Sequence, residues 1–238
     1  MLRTKWTTGV SFLIRRSSET VVDPITERWR ELNSALPTTS RLLAVSKGHP
    51  AKVIRRIAVL GQRAFGESRL QEALPKQQEL IDLPLQWHFI GRLQSNKVRG
   101  VVRAFSVIHS VDSWTLADRL SRICQEEARD PEVYLQVKFR EDPTKGGWNP
   151  TELVDHWSRL IALPGLRIRG LMTMAPQGLS MPERRDLFQS CSELADQLAL
   201  PERSMGMSGD WTEAAAAGST WLRLGSALFG PRPAVSAG

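Results

Sequence analysis

The sequence predicts an α/β protein built as a single (β/α)8 TIM-type barrel, and three observations lead there. From residue 41 onward, short apolar runs rich in β-branched residues alternate with longer stretches of helical periodicity, the pattern of a parallel sheet with crossover helices. The short runs number eight. They fill about 190 residues, the usual scale of a barrel core, so a chain of 238 has no room for a second domain. An open doubly wound sheet is the alternative arrangement of the same elements.

In chain order, Asp23-Pro24 marks a helix start, since Asp caps and Pro suits the first helical position. Strands are expected at 41–46, 63–66, 86–90, 106–110, 133–138, 167–172, 203–205 and 221–224. Helices fall between them at 50–60, 68–80, 95–104, 113–129, 149–162, 182–199 and 209–217. The 113–129 stretch shows the logic: Leu116, Leu120, Ile123 and Cys124 recur on one face, with Asp118, Arg119, Arg122, Glu126 and Glu127 on the other. The division is a basic N-terminal extension at 1–22, the barrel at 23–232 and a C-terminal tail at 233–238. The extension is also rich in Ser and Thr, as transit peptides are, but a frayed N-terminal extension or an early start codon is the preferred reading.

Composition narrows the function classes. With 41% apolar and 24% charged residues the chain is of ordinary globular type, and no apolar run approaches the roughly 20 residues of a spanning helix. The formal charge of +7 includes Arg3, Lys5, Arg15 and Arg16 in the first 18 residues, which leaves +3 over the rest. That remainder is interspersed with acids, so no nucleic-acid stripe is expected. Cys124 and Cys191 belong to no C-x-x-C or Cys/His cluster, which argues against a disulfide framework or zinc site and for a reducing cytoplasm.

A barrel keeps its functional residues at the carboxyl ends of its strands. Lys47 stands directly behind the run LLAVS, ahead of Gly48-His49-Pro50. A lysine there can form a Schiff base with a carbonyl, or simply reach from the strand end into water. Strand two runs into Glu67-Ser68, strand three contains His88, and strand six ends in Met172-Thr173-Met174. Glu67 also reads as a helix-capping acid, and His88 as a satisfied core histidine. Ser208 with its neighbouring glycines, and Gly225-Ser226, follow strands seven and eight, where backbone N–H groups and hydroxyls converge on an anion. Arg223, between Leu222 and Leu224, points by alternation into the barrel.

The motifs LLAVSK, FGES, WHFIGRLQSNK, HSVDS, KGG, LRIRGLMTM, SMGMSGDW and GSTWLRLGSALFG, in that order, resemble the YggS/PROSC family of pyridoxal phosphate homeostasis proteins over residues 41–232. The resemblance implies a barrel like the alanine racemase N-terminal domain that carries pyridoxal 5′-phosphate (PLP). Lys47 would hold it as a Schiff base, Arg223 would face the pyridine nitrogen, and Ser208, Gly225 and Ser226 would hold the phosphate. Met172 and Met174 would stand near the ring. Ser68 replaces the family's usual Asn beside the cofactor, and Lys138 replaces another in Gln136-Val137-Lys138.

No metal and no catalytic residue are expected. A two-base racemase needs an acid/base on each face of the ring, and the only tyrosine, Tyr134, lies at the start of strand five, the wrong end for chemistry. The expectation is a cytoplasmic, monomeric carrier that holds PLP and passes it to PLP-dependent apo-enzymes, with a PLP-dependent racemase-like enzyme as the alternative.

Overall fold

The computed structural model describes residues 23–142 and 144–231; the basic extension and the C-terminal tail lie outside them. Helix α1 (Pro24–Ala35) precedes β1 (Arg41–Val45), and strands and helices then alternate. They are α2 (Ala51–Ala58), β2 (Ala64–Glu67), α3 (Leu70–Glu79), β3 (Gln86–Phe89), α4 (Val98–Ala104), β4 (Val107–Val111), α5 (Trp114–Glu126) and β5 (Glu132–Gln136). There follow α6 (Pro150–Ile161), β6 (Arg167–Met172), α7 (Met181–Gln197), β7 (Glu202–Ser204), α8 (Trp211–Ala216), β8 (Trp221–Leu224) and α9 (Ser226–Phe229). Each strand runs parallel to the next, and β8 pairs with β1 through Arg41 opposite Trp221 and Leu43 opposite Arg223. The sheet is thus a closed barrel and not the open doubly wound alternative.

Helix ends follow local chemistry. Ser113 accepts from the Leu116 N–H at the start of α5, and Asn149 accepts from the Thr151 N–H at 2.9 Å ahead of α6, which Pro150 opens. Pro24 opens α1 as expected, but Asp23 makes no capping bond; its carboxylate turns to Arg56 at 3.6 Å instead. Strand five ends at Gln136, earlier than expected; Val137 still donates its N–H to the Met172 carbonyl at 2.8 Å, but its own bridge is to Trp148.

Strand alternation creates two cores. Leu42, Ala44, Leu222 and Leu224 face the helices, whereas Leu43, Trp221, Met172 and Tyr134 fill the barrel. A fully buried side chain such as Leu43 or Phe65 contributes roughly 1.5–3 kcal/mol. Cys124 and Cys191 are buried, free thiols, and burial pushes them up to about 11 and about 12.

The amino end of the barrel is closed around one carboxylate. Glu202 accepts from Arg41 Nη2 at 2.6 Å, Trp221 Nε1 at 2.8 Å, Arg169 Nη2 at 3.2 Å and the Tyr134 hydroxyl. Burial, followed by this bond to Glu202, pushes the Tyr134 phenol far above its ordinary range. Tyr134 is the third residue of β5, and its hydroxyl is committed to this end. Gly170, paired with Glu202 across β6 and β7, has no room for a side chain, since a Cβ would overlap the Glu202 carbonyl oxygen. Gly170→Ala should therefore force the two strands apart and lower stability by roughly 1–3 kcal/mol. Thermal unfolding checks this, and an unchanged midpoint would contradict it.

Candidate functional site

At the carboxyl end of the barrel lies a cavity of about 320 Å³ whose walls include Lys47, Ile90, Met174, Ser208, Arg223 and Ser226. Lys47 continues the inward-facing series Leu43 and Val45 beyond the end of β1, and is half-buried. The turn that carries it is fixed from behind. Ser46 Oγ donates to Glu67 Oε1 at 2.7 Å, and Gly48, at φ +80°, donates its N–H to Glu72 Oε1 at 2.5 Å. Lys76 Nζ ties these together, donating to Glu67 at 2.7 Å, to Glu72 at 2.6 Å and to the Ser46 carbonyl at 3.0 Å.

Glu67 is therefore part of a buried ionic clamp and not a helix cap. Its Oε2 is buried without a hydrogen-bond partner, and burial pushes its pKa up against the bonds from Lys76 and Ser46. Burial also opposes the charge of Glu72, but the bonds from Lys76 and the Gly48 N–H outweigh it and hold that carboxyl low.

Arg223 forms part of the cavity floor. Its Nη1 donates to the Ser204 carbonyl and, at 2.9 Å, to Ser204 Oγ, while Nη2 donates to the Thr173 carbonyl at 2.7 Å. Burial lowers its pKa to about 10, so the guanidinium stays protonated at neutral pH. In the loop after β7, Ser208 Oγ accepts from the N–H groups of Gly225 at 3.3 Å and Ala227 at 3.1 Å. Two backbone donors thus converge on one oxygen position. Gly206, at φ +85°, sets the loop: a Cβ there would stand 2.6 Å from that of Ala214.

The other residues singled out in the sequence are placed as follows. Gly225 lines the cavity beside Ser226, but Met172 does not, being buried one layer deeper inside the barrel. Met174, two residues on and of the same facing, forms the wall instead. Ser68 is half-buried at the rim, its backbone packed against Gly91, and does not line the cavity. His88 is wholly buried within the barrel. Gln136 donates to the Gly146 carbonyl at 2.7 Å and lines a smaller adjoining cavity with Arg92, Asp112 and Lys145.

Among the wall residues that sequence reasoning did not single out are Val45, His49 and Ile90. Facing alone would have found Val45 and Ile90, which repeat the orientation of Leu43 and His88. The ring of His49 stacks on Phe229 with centroids 4.7 Å apart, a contact between the two ends of the chain that no local pattern encodes.

Comparison with known proteins identifies the family. The family profile "Alanine racemase, N-terminal domain" matches residues 22–233. The pyridoxal phosphate homeostasis protein of Synechocystis sp. is 46% identical over 211 residues, covering 86% of this chain and 97% of that one. The protein of the same name from Pseudomonas aeruginosa is 44% identical over 200 residues, covering 82% and 86%. Among solved structures, PipY of Synechococcus elongatus PCC7942 with PLP bound superposes with a TM-score of 0.83 at 50% identity, over 87% of this chain and 100% of PipY. An alanine racemase of Clostridium difficile 630 shares the fold alone, at a TM-score of 0.75 and 15% identity, over 90% of this chain and 58% of the racemase. An inward-facing lysine and arginine at the strand ends of a closed barrel, with these relatives over most of its length, show that the chain belongs to the family of pyridoxal phosphate homeostasis proteins, built on the alanine racemase N-terminal domain.

Proposed function

We propose that this protein binds PLP in the cavity at the carboxyl end of its barrel and serves PLP homeostasis as a carrier. The observation that carries the reading is the meeting of Lys47, Arg223 and Ser208 around a single cavity of about 320 Å³. The donor set fits the cofactor. Lys47 offers an amine that condenses with an aldehyde to a C=N bond with loss of one water. Ser208, Gly225 and Ser226 offer hydroxyls and N–H groups for a phosphate, as the convergence on Ser208 Oγ supports. Arg223, which lines the same cavity, would hold the pyridine nitrogen as a donor that keeps its own proton. The cofactor, when bound, supplies an electrophilic carbon for amines.

Holding, and not turnover, suits the remaining residues. A protonated guanidinium beside the ring nitrogen would donate to it without protonating it, and so would leave a bound ring a weak electron sink. The one tyrosine of the chain is engaged by Glu202 at the far end of the barrel, away from Lys47. No helix among the described residues is long and apolar enough to cross a membrane. The reading is completed by a monomer in the cytoplasm that passes PLP to PLP-dependent apo-enzymes. Borohydride reduction of the protein mixed with PLP, followed by peptide mapping, tests the site. A pyridoxyl group is expected on Lys47; label confined to other lysines would overturn the assignment.

A further inference from the structure

Beneath the cavity floor, a file of polar side chains crosses the interior of the barrel. Arg223 Nη1 donates to Ser204 Oγ at 2.9 Å, Ser204 Oγ lies 2.8 Å from His109 Nδ1, and His109 Nε2 lies 2.8 Å from His88 Nδ1. The four residues come from β8, β7, β4 and β3, and none is more than 4% exposed. The rings are held sideways as well. His109 stacks on Tyr134 with centroids 4.3 Å apart, and His88 meets Trp221 edge-on at 4.9 Å.

The chemistry of the donors gives this file one direction. A guanidinium only donates, so Ser204 Oγ accepts from it and must send its own proton elsewhere. His109 Nδ1 is the acceptor in reach, which leaves the His109 proton on Nε2, and that N–H in turn donates to His88 Nδ1. His88 then carries its proton on Nε2, the one ring nitrogen of the file buried without a hydrogen-bond partner. The indole of Trp221 beside it suits an N–H better than a lone pair. The reverse direction would leave both the Ser204 proton and His88 Nε2 unmatched.

We propose that His88, His109 and Ser204 are positioning residues for Arg223, a one-way hydrogen-bonded strut that holds its guanidinium at the floor of the cofactor cavity. The inference rests on the reading of that cavity as a PLP site. Burial keeps both histidines neutral, His88 down to about 3, so the strut does not change charge at neutral pH. Buried networks of this kind rigidify what they touch when every link is satisfied.

Two measurements test it. Side-chain ¹⁵N NMR of the full chain without added PLP should show both histidines neutral and protonated on Nε2; an Nδ1–H form of His109 would overturn the strut. Spectroscopic titration with PLP should then show roughly tenfold weaker binding and a shifted visible band for His109→Leu. His109→Asn, whose side-chain oxygen replaces Nδ1 as acceptor for Ser204, should stay within about threefold of wild type. Equal affinity and an unmoved band in a folded His109→Leu protein would refute the proposal, as would an Asn variant no better than Leu. Should His109→Leu fail to fold, Ser204→Ala, which removes a single oxygen, takes its place in the titration. A wild-type protein that takes up no PLP sinks the cofactor reading, whereas the tautomers decide the strut independently.

Discussion

Lys47→Ala should give a folded protein that remains colourless in the presence of PLP. Lys47 lies beyond the last paired residue of β1, outside both buried cores, so its truncation removes little packing. What it removes is the amine that, on the proposed reading, makes the covalent bond to PLP. The remaining contacts through Arg223 and the Ser208 wall are non-covalent, and retention should fall by roughly a hundredfold, about 2.7 kcal/mol. Absorbance of the titrated protein, with circular dichroism as the control for folding, reads both quantities. A visible band of wild-type intensity in the variant would show that another amine carries the cofactor.

The largest effect on stability is expected at Lys76. Its ammonium sits between Glu67, Glu72 and the Ser46 carbonyl, almost buried, and Lys76→Met would strand the Glu67 carboxylate. Breaking a buried pair from one side removes roughly 3–5 kcal/mol. The loss should depend on pH with a definite sign. Burial already holds the folded pKa of Glu67 above its ordinary 4.5, against the lowering effect of Lys76. Its contribution to stability is therefore greatest at low pH and is lost as the pH rises through the folded value. Without Lys76 that value climbs further, so the variant takes up a proton where the wild type remains ionised. Its deficit should narrow as the pH falls from about 8 toward about 5. Urea unfolding across that range checks the sign, and Glu67→Gln added to Lys76→Met should recover part of the loss. A deficit that is flat with pH would mean that Glu67 is not the stranded group.

The barrel was legible because buried parallel strands appear as short apolar runs, and eight of these in so short a chain leave few ways to close a sheet. Lys47 was legible because it stands directly behind a buried run, and Arg223 because alternation along a strand states which face a residue takes. Alternation does not state depth. Met172 and Met174 share a facing, and only the stagger of neighbouring strands puts one in the interior and the other in the cavity wall. The role of Lys76 was hidden because it is made by groups from β2, α3 and the turn after β1, each unremarkable in its own segment. His109 went unnoticed likewise, since its partners come from β3 and β7.

Closure of the sheet has a consequence for how this molecule can meet another. Because β8 returns to β1, every strand among the described residues has a neighbour on both sides, and the barrel leaves no edge to recruit a strand from a second chain. Association by strand addition is thereby unavailable. Contact with a partner falls instead to loops and helix flanks, and any exchange of cofactor must pass through the ring of loops at the mouth.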